Sequence, residues 1–98
     1  MTTNIPIEHP GILLKEEFIE PFGLTPYAVS KGTGISQTAI GEILKGKRGI
    51  SAVNALKLSK FFGVSESFFL NIQVRYNLDK AKEKAEKSLL KVTPFCGT

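Results

Sequence analysis

The chain has 98 residues, 42% of them hydrophobic and 22% charged, with a formal net charge of +4 and a single cysteine. That length suits one globular domain and leaves no room for an active-site cleft between two, and the ordinary hydrophobic fraction lies far from compositions that stay unfolded. Cys96 has no disulfide partner, residues 1–8 show no basic segment leading into an apolar core, and no apolar run approaches the roughly 18 residues that cross a bilayer; a reducing cytoplasm is expected and a membrane role is excluded.

Helix start and stop signals recur along the chain and alternating strand patterns are absent, which predicts an all-α fold of five helices in one domain, residues 1–98. Pro10 suits a first helical turn; Leu14, Phe18 and Ile19 follow at helical spacing, and Pro21 with Gly23 stops the run. Thr25 caps a second, short helix with Pro26 at its first position, ended by Gly32 and Gly34. Ser36 caps a third whose apolar face is Ile40, Ile43 and Leu44, closed by Gly46. Ser51 caps a fourth, in which Ala52, Ala55, Leu56, Ser59 and Phe62 share a face suited to packing on helices two and three; Gly63 ends it. Ser65 is read as the cap of a fifth helix reaching about Leu89. One stripe of it, Phe68, Phe69, Ile72 and Tyr76, suits the core; the other, Leu70, Val74, Leu78 and Ala81, needs a second surface. The core spans about residues 9–79, and residues 80–98 read as a charged helical arm with a loose tail.

The charge is unevenly spread. Residues 1–24 set Lys15 against Glu8, Glu16, Glu17 and Glu20, a net −3, whereas residues 25–64 set Lys31, Lys45, Lys47, Arg48, Lys57 and Lys60 against Glu42 alone, a net +5. The basic excess lies where a polyanion would dock.

Two short helices joined by a glycine turn form a helix-turn-helix pattern: Val29 and Ser30 in the first, Gly34 and Ile35 in the turn, Ile40 and Ile43 in the second. Ser30 is small where the next helix crosses, and Gly34 supplies a positive φ. The exposed residues of helix three, Gln37, Thr38, Gly41, Glu42 and Lys45, are then the candidates for base reading; Gln37 suits adenine and the Thr38 methyl suits thymine. Thr25, Tyr27, Lys31, Ser36, Lys47, Arg48, Ser51 and Asn54 are the candidate phosphate ligands. A chain this short gains from self-association, and Leu58, Phe61, Leu70, Val74 and Leu78 are the candidate dimer surface.

No other constellation carries chemistry. His9 is the one histidine, so a zinc site would lack ligands, and capping or packing is its expected role. Glu16, Glu17 and Glu20 form an acidic face without a nucleophile or metal ligands nearby, and no phosphate-binding glycine loop occurs, so neither an enzyme nor a bound cofactor is expected. Cys96 reads as an unpaired thiol.

The run His9-Pro10-Gly11, Leu14, Glu16-Glu17-Phe18-Ile19, Pro21, Gly23-Leu24-Thr25, continuing through Gln37, Ile40, Ile43, Gly46-Lys47-Arg48-Gly49-Ile50, Ala55-Leu56 and Phe62-Gly63 to Phe68-Phe69-Leu70-Asn71-Ile72-Gln73 and Tyr76-Asn77-Leu78, resembles the HigA-type antitoxins, also called plasmid-maintenance antidote proteins or virulence-associated protein I. Ile12 departs from a usual polar residue and Phe69 from a common tryptophan. The resemblance implies a lambda-repressor-like fold and a homodimer on an inverted-repeat DNA operator. It also implies two jobs, repressing the shared operon and sequestering an RelE-like mRNA endonuclease toxin. A stand-alone repressor without a toxin is the alternative.

Overall fold

The computed structural model describes residues 8–95, which form six helices and, among the described residues, no strand. Cys96 lies outside them. Helix α1 is α-helical over Pro10–Leu13 and continues as a π-helical segment over Leu14–Ile19. His9 caps it, Nδ1 accepting the Gly11 N–H at 2.9 Å, while Pro10 at the first position has no N–H to satisfy. The sequence pattern predicts an ordinary helix here; the observed i→i+5 pattern instead brings Leu14 and Ile19, five residues apart, onto one side, and both are buried.

Helices α2 (Pro26–Thr33), α3 (Gln37–Leu44) and α4 (Ala52–Phe62) begin at the expected caps, with Thr25, Ser36 and Ser51 each accepting a backbone N–H three residues on. Gly32 does not help end α2 but lies within it, so close beneath the Phe61 ring that a methyl group there would overlap it. The buried face of α4 is Ala55, Leu58 and Ser59, with Phe62 half-buried; Ala52 and Leu56 point to water, a frame rotated from the expected one. This follows from what α4 meets, since it packs mainly on α2 and α5 rather than on α3.

Helix α5 starts at Phe68 and runs to Lys84 (Phe68–Lys84). Ser65 does not cap it: its carbonyl accepts the Phe68 N–H at 3.0 Å in a preceding turn, and Ser67, at the cap position, makes no side-chain cap. The late start sets Phe68 and Phe69 against Phe18, ring centroids 5.7 and 5.1 Å away, with Phe62 closing the cluster at 5.0 Å from Phe18. The helix also ends early. Ala85 leaves helical geometry (φ −103°, ψ 15°), and α6 (Glu86–Leu90) buries no residue, so no packing holds the two in one continuous rod. The radius of gyration is 16.4 Å, against roughly 13 Å for a compact chain of this length, in keeping with a C-terminal helix that buries no residue.

The core is Leu14, Ile19, Val29, Ile35, Ala39, Ile40, Ile43, Ile50, Ala55, Leu58 and Phe69. It holds α3 by one side, between α1 and α2. His9 joins three parts of this body: it caps α1, lies near Gly46 after α3, and meets the Tyr76 ring of α5 edge-on at 5.1 Å.

Burial lowers the His9 pKa below the ordinary histidine value, in keeping with an Nδ1 that accepts a hydrogen bond. As pH falls, the unfolded chain therefore binds this proton before the native one does. Stability is full above the unfolded-state pKa of about 6.5 and declines as pH drops through and below it. His9 being the one histidine, urea unfolding followed by circular dichroism at pH 7.5 and 5.5 should show the wild type weaker at the lower pH, with His9→Asn, which retains a capping side chain, flattening the difference. Equal wild-type stability at both values would remove His9 from its half-buried, neutral role.

Candidate nucleic-acid interface

The turn between α2 and α3 is tied by side chains as well as by backbone. Ser30 Oγ donates to the Ile35 carbonyl, Thr33 Oγ1 donates to the Val29 carbonyl at 2.7 Å, and the same Thr33 oxygen accepts the Ile35 N–H at 3.1 Å. Gly34, at φ 81°, returns its N–H to the Ser30 carbonyl at 2.9 Å, a conformation that costs a side-chain-bearing residue. Ser30 thus does more than stay small: its hydroxyl joins the end of α2 to the entry of α3. With Ile35, Ala39, Ile40 and Ile43 buried on one side, Gln37, Thr38 and Lys45 are left exposed on the other, and Gly41 and Glu42 are partly exposed. A side-chain carbon at Gly41 would meet nothing within 4 Å, so no contact inside the protein calls for glycine there.

Three hydroxyls stand at helix N-termini with spare hydrogen-bonding capacity. Thr25 Oγ1 accepts the Ala28 N–H at 3.1 Å, Ser36 Oγ that of Ala39 at 3.1 Å, and Ser51 Oγ that of Asn54 at 3.2 Å. Each uses an oxygen lone pair, leaving the O–H free to donate to an anion at the positive end of a helix. Tyr27 and Lys31 are exposed, with the Lys31 ammonium 6.0 Å from the Tyr27 ring centroid; Asn54 is half-buried.

Helix α3 leaves into the basic loop through a paired C-terminal turn, the Gly46 N–H on the Ile43 carbonyl at 3.0 Å and the Lys47 N–H on the Glu42 carbonyl at 2.8 Å. Lys47 extends into water. Arg48 folds back, its Nη2 2.6 Å from Glu42 Oε1, which sets the guanidinium beside the exposed side of α3. The pair stands six positions apart, a spacing that no helical periodicity reveals. At the far end of the loop the buried Ile50 N–H is accepted by Gln73 Oε1 of α5 at 2.7 Å. Sequence reasoning missed Gln73. The available signal was a polar residue four positions after Phe69 and three before Tyr76, on the stripe that faces the core.

The dimer candidates divide. Leu58 is fully buried in the monomer core and cannot form an interface; α4 turns it inward beside Ala55 and Ser59. Leu70 is half-buried against the core, and Phe61, 36% exposed, lies over Gly32 and edge-on to Phe62. Val74 and Leu78 remain outside, 53% and 45% exposed. On another face, Glu8, Glu16 and Glu17 rim a cavity of about 300 Å³ that also has Leu13, Phe18 and Phe68 in its walls. Among the described residues no helix is long and apolar enough to cross a membrane.

Residues 14–69 match the helix-turn-helix family. The chain is 38% identical over 92 residues to virulence-associated protein I of Dichelobacter nodosus, covering 94% of this chain and 84% of the relative. Among solved structures, the Pseudomonas aeruginosa antitoxin HigA with the higBA promoter superposes with a TM-score of 0.86 at 31% identity, over 92% of this chain and 99% of that one. An addiction module antidote protein of the HigA family from Coxiella burnetii superposes with a TM-score of 0.85 at 35% identity, over 93% and 100%. By its matched residues, its relatives and its arrangement of helices, the chain belongs to the helix-turn-helix family, among the HigA-type antitoxins.

Proposed function

We propose that this protein is a cytoplasmic DNA-binding antitoxin that dimerises, reads an inverted-repeat operator with α3, represses its own operon and sequesters an RelE-like mRNA endonuclease. The observation that carries the DNA reading is the one-sided hold on α3: Gln37, Thr38, Gly41 and Lys45 are left without intramolecular work while the Arg48 guanidinium lies alongside. Gln37 and Thr38, at the N-terminal end of α3, read bases, and the bare backbone at Gly41 lets the helix lie close to the groove. Thr25, Tyr27, Lys31, Ser36, Lys47, Ser51 and Asn54 supply phosphate contacts from helix N-termini and loop. Arg48 exchanges Glu42 for a phosphate, and the freed Glu42 accepts from a cytosine amino group or turns to water. The Pseudomonas aeruginosa relative with its promoter supports this reading.

Val74 and Leu78, with part of Leu70 and the exposed edge of Phe61, form the dimer contact. Apolar side chains left in water on a helix otherwise committed to the core usually have a partner. Two-fold symmetry then spaces the two α3 helices roughly 34 Å apart, one turn of duplex. The toxin docks on α1, where an acidic rim around apolar walls complements a basic nuclease.

Neutralising Lys47 and Arg48 together should weaken operator and random DNA about equally and flatten the salt dependence by roughly 0.9 in log-log slope per lost phosphate. Gln37→Ala or Thr38→Ala should instead alter the selected consensus. An unchanged slope in a fluorescence titration across salt would place the loop away from DNA.

Changing Val74 and Leu78 to Glu should give a largely helical monomer that binds a half-site weakly. A double variant still dimeric by sedimentation at micromolar concentration would move the interface to helix α1 or the N-terminal residues. Coexpression with the adjacent toxin-like gene should rescue growth and yield a copurifying pair; failure with both proteins soluble would favour the stand-alone repressor.

A further inference from the structure

We infer that Gln73 is a positioning residue for the DNA-phosphate loop, holding the segment that carries Lys47 and Arg48 against α5, the helix that bears the exposed Val74 and Leu78. The inference rests on the DNA-binding reading above.

Among the described residues, Gln73 and Ser59 are the polar side chains buried in the body, and of the two only Gln73 finds partners. Its Oε1 accepts the Ile50 N–H at 2.7 Å and its Nε2 donates to Asn77 Oδ1 at 2.8 Å, one turn further along α5. The Ile50 N–H can only donate, so it fixes the amide oxygen toward the loop, and Asn77 Oδ1 takes up the nitrogen and steadies the side chain. The backbone at Gly49 lies directly on this amide, since a side-chain carbon there would stand 3.0 Å from Nε2. An apolar residue at position 73 would fill the space equally well but would leave a buried N–H without an acceptor. The amide is therefore suited to hold a piece of backbone in place.

That piece is short and anchored at both ends. The paired turn at Gly46 and Lys47 fixes its start, and Gln73 fixes Ile50 at its finish. Lys47 and Arg48 are thus displayed from a span with little backbone freedom left to lose when phosphate is bound. Val74 and Leu78 immediately follow Gln73 and Asn77 on the same helix, so the backbone that bears the dimer contact also bears the loop's anchor.

The test uses the full-length protein and a random-sequence DNA duplex, because phosphate contact is independent of sequence. Gln73→Met keeps length and removes the acceptor, Asn77→Ala, at an exposed position, removes the support of Nε2 without adding apolar bulk beside Leu78, and Asn77→Asp retains an acceptor for Nε2. Gln73→Met should lose up to about tenfold in affinity, the most that one net hydrogen bond holding the loop can contribute, and Asn77→Ala a smaller part of that loss. Both should flatten the salt slope, exchange the Ile50 amide proton faster and leave the dimer constant unchanged. Asn77→Asp should retain the wild-type slope and Ile50 protection. Affinity loss with the slope unchanged, Ile50 exchange that does not accelerate, or weakened dimerisation would each overturn the inference. Wild-type binding that the variants reproduce overturns this inference alone, whereas a wild type that does not bind duplex DNA overturns the DNA reading with it. If Gln73→Met does not fold, Asn77→Ala carries the same measurements.

Discussion

The approach of α1 to α3 at Gly11 constrains the rest of the molecule, because any side chain there would overlap the carbonyl oxygen of Ile43. The close crossing requires glycine at that position, while the proline before it starts the helix without an orphan N–H and the residue before that supplies the cap. His9, Pro10 and Gly11 are those three residues. Once the backbones meet, the His9 ring reaches both Gly46 and Tyr76, so one side chain links the start of α1, the exit of α3 and the middle of α5. Helix α3 is thereby gripped from its apolar side, and its polar side is left free for a partner.

The same logic explains how a two-turn helix can be presented rigidly. Eight residues of α3 would not stay helical in isolation, since nucleation costs more than so few hydrogen bonds return. Its entry is fixed by the Ser36 cap and the Ser30 and Thr33 hydroxyls, its exit by the turn at Gly46, and its inner face by Ala39, Ile40 and Ile43. Satisfied polar contacts at both ends with an apolar face between them let a short helix behave as a fixed surface. The basic loop continues the pattern, with one anchor in the paired turn after α3 and another in Gln73.

Electrostatics in this protein is organised by segment. The acidic residues of α1 line one cavity, and the basic excess lies in α2, in the segment that follows α3 and in α4. Within the basic segment the single carboxylate, Glu42, is paired with Arg48. The pair is about half exposed and so adds little to stability, but it fixes where the guanidinium waits.

Much of this was legible in the chain because its causes are local. A Ser or Thr before an apolar helical period is a cap wherever it occurs, and Thr25, Ser36 and Ser51 all perform that task; Gly34 and Gly46 occupy turns that favour glycine; Ile40 and Ile43 repeat at helical spacing and face inward. What the tertiary structure decided depends on which surface each helix meets. Leu58 rather than Leu56 turns inward because α4 leans on α2 and α5, and helix α5 begins at Phe68, which brings its first turn into the phenylalanine cluster. The bond from Ile50 to Gln73 joins residues 23 apart, and the Glu42–Arg48 pair spans a helix end. Periodicity reports which residues share a face of one helix, but the partner of a buried amide or a folded-back guanidinium is set by the approach of separate elements, and that distance is fixed only when the core closes.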